Sequence, residues 1–181
     1  MNKAIIAPLL ALTLALPACS SETTDIDGDT VEVQETVIAV LGDTDNVETL
    51  TGAIEATGLN TLFEAPGASY TILAPNDEAF AALGDAPPPP AILAAMLREH
   101  ILPGHLDATT IADAVRANDG SITMATVGNG SVDFTLDGDA LVAKHSDSGK
   151  TARLTGGQGV AENGAVLVVD TVLVAPPADA G

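Results

Sequence analysis

The residue pattern calls for an α+β fold, with helices mainly in the first half of the chain and a β-rich second half. Three observations carry this. Apolar residues before about residue 117 recur at helical spacing and are bracketed by caps, prolines and glycines. From Ser121 onward the period drops to two. The chain then finishes on Ala165 to Val174, a nearly all-apolar, β-branched run suited to a central buried strand, interrupted by Asp170.

The elements follow in order. Thr36 to Leu41 is a short apolar run ending at Gly42, which alone fits strand or helix. Asp45 to Thr57 reads as a helix. Asp45 with Glu48 forms a capping box, Val47, Leu50 and Ile54 share one face, and Gly58 supplies the residue after the end. Tyr70 to Ala74 is a strand that Pro75 ends. Asn76 is an N-cap, with Asp77 and Glu78 in the first turn where negative charge suits the helix dipole, and Phe80 one turn on as a core anchor. Pro87 to Pro90 is a stiff stretch whose last proline serves as the first helical residue. Ile92, Leu93, Met96, Leu97, His100 and Ile101 form one stripe, and Pro103 and Gly104 stop that helix. Thr109 to Arg116 is a further short helix. Ser121 to Val127 is β-like, and Gly128-Asn129-Gly130 turns the chain. Val132, Phe134 and Leu136 alternate with polar residues, and Asp137-Gly138 turns the hairpin back through Ala140 to Lys144.

Two segments carry more than periodicity. One is Tyr70-Thr71-Ile72-Leu73-Ala74-Pro75-Asn76-Asp77-Glu78-Ala79-Phe80. The other is Asn163-Gly164-Ala165-Val166-Leu167-Val168-Val169-Asp170-Thr171-Val172-Leu173. In this order they resemble the two motifs of fasciclin domains. Between them, Leu97-Arg98-Glu99-His100-Ile101-Leu102-Pro103-Gly104 resembles that family's third landmark, a helix end closing in Tyr-His and then an apolar pair, Pro and Gly. The resemblance implies a fasciclin-like fold over residues 35–176 in one copy, with Thr36 to Leu41 as a first helix. It also implies a module of adhesion or matrix contact without a reaction. The positions it marks, as structural or contact residues, are Thr71, Ala74, Pro75, Asn76, Phe80, His100, Pro103, Gly104, Asn163, Gly164 and Asp170. Two departures stand out. Glu99 occupies the place of the usual Tyr, off the buried stripe, and Asn76 replaces the usual Thr, both being N-caps.

The ends add an address. Met1-Asn2-Lys3 is basic, and Ala4 to Leu16 is apolar but too short to span a bilayer. Leu16-Pro17-Ala18-Cys19 resembles a bacterial lipobox. It implies a lipoprotein signal peptide over 1–18 and lipidation of Cys19, against ordinary cleavage with an incidental cysteine. Residues 19–34 read as an acidic tether and 177–181 as a loose tail. Ser20 is not the Asp that favours retention in an inner membrane. The expectation is therefore a single-domain bacterial fasciclin lipoprotein in the envelope, in the outer membrane rather than the inner, facing periplasm or cell surface.

Composition narrows the chemistry. Cys19 is the only cysteine, and its acylation would leave no disulfide, thiolate metal site or cysteine nucleophile. The formal charge of −19 repels nucleic acid and anionic surfaces and reads as solubility, saline adaptation, or affinity for cations or a basic partner. Asp25-Ile26-Asp27-Gly28-Asp29 opens like a calcium loop, but Thr30 and Thr36 stand where Gly and Glu are needed. His100 and His105 are separated by Pro103-Gly104 and share no helix face, while His145 sits in a polar loop; His100 reads as a hydrogen-bonded core residue. Gly156-Gly157-Gln158-Gly159 reads as a plain loop, without the Lys-Ser/Thr of a phosphate loop. With no Trp, one Tyr and three Phe, few aromatic platforms remain for a glycan. The sequence thus points to no cofactor, metal or catalysis. The partner is an unknown protein or matrix polymer at the cell surface, besides the membrane reached through the lipid. The alternative is a structural envelope or matrix protein without a discrete ligand.

Overall fold

In the computed structural model two parallel strands run through the centre of the molecule: β1 (Tyr70–Pro75) and β7 (Gly164–Val169). The structure describes residues 36–84 and 88–176. The signal segment, Cys19, the tether, the acidic Asp25 stretch and the tail lie outside the described residues. Both central strands are apolar on both faces, so neither shows an alternating pattern. Ile72, Ala74, Val166 and Val168 point into one core, while Leu73, Leu167 and Val169 point into another.

The first core is closed by helices. These are α1 (Val37–Gly42), α2 (Glu48–Thr57), α3 (Asn60–Phe63) and α5 (Pro90–Arg98), which contribute Leu41, Leu50, Ile54, Phe63 and Leu97. The second core lies under α6 (Ala108–Ala117) and takes Ile111 and Val115 with Phe134 and Ala143. A small third cluster joins Ala79 of α4 (Asp77–Ala81) to Met96 and Val172. The remaining strands are β2 (Ile101–Pro103), β3 (Ser121–Ala125), β4 (Ser131–Asp137), β5 (Ala140–His145) and β6 (Thr151–Ala161). The strand order is β2-β1-β7-β6-β5-β4-β3, with every neighbouring pair antiparallel except β1 and β7.

Several local expectations change. The helix α5 ends at Arg98, and Ile101 to Pro103 form β2 beside β1, so Pro103-Gly104 ends a strand rather than a helix. The Asp45–Glu48 capping box does not form. Val47 stands at the N-cap of α2 without a side-chain bond, and Asp77, from α4, accepts from the Thr49 N–H at 2.8 Å instead. Gly156 to Gly159, expected as a loop, lie within β6, where a register shift falls between Leu154 and Gln158. His145 closes β5 and is buried rather than sitting in an open loop. The Asn76 cap, Pro90 at the start of α5 and the Asp137-Gly138 hairpin stand where the sequence put them.

Candidate functional site

The motif residues converge on the joints between β1, β7 and the helices. Thr71 is fully buried on β1, and its hydroxyl donates to the Gly104 carbonyl at 2.9 Å and accepts from the Leu106 N–H at 2.9 Å. It thereby pins the loop after β2, in which Gly104 takes the left-handed φ of +105°. Asn163 does comparable work at the other end. Its Oδ1 accepts from the Val37 N–H at 2.7 Å, its Nδ2 donates to the Phe63 carbonyl at 3.1 Å, and its own carbonyl accepts from the Tyr70 N–H. One side chain therefore joins α1, α3 and the start of the central pair.

Gly164 faces Tyr70 across the parallel ladder, and a Cβ there would collide with the Tyr70 carbonyl oxygen. Asn76 accepts from the Ala79 N–H at 2.9 Å, while its own N–H donates to the Val169 carbonyl. Ala74 and Pro75 are buried, and Phe80 is half-buried against the first core. Asp170 ends β7 at the surface, its carboxylate accepting from the Arg153 N–H at 2.8 Å. Pro103 is exposed.

His100 is 2 % exposed. The Leu173 N–H donates to its Nε2 at 2.9 Å, which places the ring proton on Nδ1, and Nδ1–H donates to the Met96 carbonyl at 2.8 Å. Burial pushes the imidazole pKa down to about 4, because a charged ring there would lose its hydration. His100 is thus a neutral clasp between the end of α5 and the segment after β7.

Sequence reasoning missed the partner of this clasp. Glu99 points into the Thr126–Gly130 turn, where Oε2 accepts from Thr126 Oγ1 at 2.6 Å and from the Gly130 N–H at 3.1 Å. Its Oε1 accepts from the Asn129 N–H at 2.8 Å. His145 Nε2 donates to the same Oε2 at 3.2 Å, since its Nδ1 accepts from the Ser148 N–H. Burial raises the Glu99 pKa, but the bonds from Thr126, Asn129, His145 and Gly130 outweigh it and hold the carboxyl below its ordinary value. Side chains at Gly128 or Gly130 would run into this carboxylate. The two histidines are joined further on. Ser148 Oγ donates at 2.6 Å to the carbonyl of Leu173, whose N–H serves His100. The signal available in sequence was the Gly128-Asn129-Gly130 turn following Thr126, whose close-packed N–H groups suit a carboxylate.

Among the described residues, no group of three or more His, Cys, Asp or Glu could hold a metal ion, and no helix is long and apolar enough to cross a membrane. Two open clefts lie elsewhere, on either side of β6. One of about 380 Å³ is lined by α6 and the start of β5, and one of about 440 Å³ by the end of α1 and the loop after it.

Residues 45–175 match the family model described as the fasciclin domain, and the chain belongs to that family. Fasciclin domains are non-catalytic adhesion modules. The chain is 30 % identical over 139 residues to the pig (Sus scrofa) transforming growth factor-beta-induced protein ig-h3, across 72 % of this chain and 18 % of the pig protein. Its fold is similar to that of a fasciclin domain pair from the insect cell adhesion molecule Fasciclin I. There the TM-score is 0.57 at 21 % identity, covering 71 % of this chain and 45 % of the insect one. The chain thus spans less than half the length of either protein. These relatives correct two expectations. The pig and insect matches are eukaryotic, so they overturn the assignment to a bacterial protein and, with it, the placement in a bacterial envelope. The lipobox likeness that prompted both is a four-residue match outside the fasciclin region.

Proposed function

We propose that this chain works by contact: it is an adhesion module that holds a protein or matrix polymer at a surface. The observation that carries the reading is the fasciclin match over residues 45–175. The burial of the motif residues refines it. Thr71, Asn76, His100 and Gly164 are spent on internal bonds and close packing, which supports a rigid platform whose contacts are made by other residues. Glu78, Arg98, Pro103, His105, Glu162 and Asp170 are exposed positions in and beside the motifs. The high negative charge favours a basic partner, or one bridged by divalent cations, and an attachment that weakens as salt screens it. The sequence Leu16-Pro17-Ala18-Cys19 supports a tethered form with the lipid on Cys19.

The test is capture by the immobilised full chain from matrix and cell-surface fractions. The expected result is a saturable component, competed by free chain and released by salt. Capture that is neither saturable nor competed counts against a discrete ligand and favours a purely structural role. For the tether, fatty-acid labelling lost in Cys19→Ser supports it, and labelling unchanged in that variant excludes it.

A further inference from the structure

We propose that the open edge of β6, over Gly156 to Val160, takes up an extended basic peptide segment as an added strand, and that this edge is the contact surface of the module. The inference rests on the adhesion reading above and names its surface.

The edge follows from register. On one side β6 pairs with β5 only through Thr151, Ala152 and Arg153, and β5 begins at Ala140. On the other side Gln158 to Ala161 pair with β7, closing at Ala161 and Gly164 across a two-residue turn. In an antiparallel ladder the bonded pairs alternate. With Ala161 and Gly159 bonded toward β7, Gln158 and Val160 turn their N–H and C=O groups to the free side. Val160 is 54 % exposed, the only large hydrophobic among the described residues left so open. The glycines at 156, 157 and 159 put no side chain in the way of an approaching backbone.

The clefts define what fits. They share Gly157 and Gln158 yet lie on opposite faces of the sheet, because α1 packs in the first core and α6 in the second. Successive side chains of an added strand point to opposite faces. One side chain would enter the cleft bordered by Asp43, Thr44 and Asp45, and the next the cleft bordered by Ala108, Ala112, Leu141 and Leu154. The acidic rim selects lysine or arginine, and the apolar part of the second cleft, which Thr109, Arg116 and Asp139 also border, takes an aliphatic residue. Strand addition takes its affinity from main-chain bonds and its specificity from such alternate pockets. The segment to expect is therefore extended, with basic and aliphatic residues alternating.

The probe is a blocked heptapeptide of alternating lysine and valine, titrated by anisotropy into the full chain at low salt. Binding is expected, with new hydrogen-exchange protection at the Gln158 and Val160 amides. Val160→Pro removes one outward N–H, and proline is tolerated at a strand edge. It should leave the denaturation midpoint near that of the parent and weaken the peptide by about tenfold or more, a loss of about 1.4 kcal/mol. Asp43→Asn with Asp45→Asn should weaken the lysine peptide and leave a serine–valine peptide unaffected. The same lysine–valine peptide N-methylated at alternate amides should not bind. Equal binding by the methylated peptide means charge attraction alone and overturns the proposal, as does unchanged binding by a folded Val160→Pro. Self-association of the free chain that Val160→Pro abolishes also overturns it, since the edge then belongs to a second copy. Surface attachment by the parent that persists in Val160→Pro refutes this edge as the contact surface while leaving the adhesion reading intact. Absence of attachment by the parent refutes the adhesion reading, and the peptide titration still decides the edge.

Discussion

Replacing His100 with alanine should be among the most damaging single changes in the molecule, and its cost should depend on pH in a defined direction. The substitution strands the Met96 carbonyl and the Leu173 N–H, both bonded to the ring in a site that is 2 % exposed. Each unpaired buried group costs about 1–3 kcal/mol, and the lost ring leaves a cavity, so about 3–5 kcal/mol is expected at pH 7.5. The folded ring titrates at about 4, against an ordinary histidine value of about 6.5 in the unfolded chain. Between those values the unfolded state binds a proton that the folded state refuses. The neutral ring's contribution is therefore complete above about pH 6.5 and is lost as pH falls toward 4, a change of about 3 kcal/mol. Around the ring, His145 and Lys150 disfavour its charged form and Glu99 favours it, all less than burial does. Urea midpoints of parent and His100→Ala at pH 7.5, 5.5 and 4 measure the difference. It should shrink steadily as pH falls. A difference that stays constant from pH 7.5 to 4, or grows, would refute the buried neutral clasp.

Other outcomes follow from the same joints. Asn163→Ala unties α1 and α3 from the central strands and should cost about 2–3 kcal/mol in denaturant unfolding. Gly164→Ala forces apart β1 and β7 at Tyr70 and should cost about 3 kcal/mol or fail to yield soluble protein. Glu99→Gln should destabilise by about 1–2 kcal/mol at pH 7 through loss of charge-assisted bonds. Because the folded Glu99 pKa is lowered, that difference should be present above the usual glutamate range and vanish as pH falls through the folded value. Asp77→Ala removes the borrowed cap of α2 and should cost about 1 kcal/mol, read as a lower urea midpoint.

What was legible in the sequence was local. Asn76 caps the helix that begins one residue later, and Pro90 opens α5 because it needs no N–H there. The hairpin at Asp137-Gly138 depends on neighbours alone. The core position of His100 was visible from its place on an apolar stripe. What stayed hidden depends on residues distant in the chain. Asp77 caps a helix that starts 29 positions earlier, at Glu48 (77 − 48 = 29), so the nearer Asp45 looked sufficient. Glu99 and His145 meet across 46 positions, and no periodicity links them. Ile101 to Pro103 kept the helical stripe going on paper, but pairing with β1 drew them into a strand. Gly156 to Gly159 lack β-propensity; Gln158 and Gly159 are in a strand because β7 supplies their partners, while Gly156 takes a φ of +91° within the register shift. The motif positions were named from the sequence as one set, and only the structure divides them into joints that hold the fold and the few residues left at the surface.

The contact reading is tested most directly by the force needed to detach particles coated with the full chain from a matrix-coated surface. Particles carrying an inert protein of matched negative charge serve as the baseline. Detachment should require clearly more force than the baseline, fall as salt rises, and return to baseline when free chain is added as competitor. Forces equal to the baseline at every salt and calcium concentration would contradict the account.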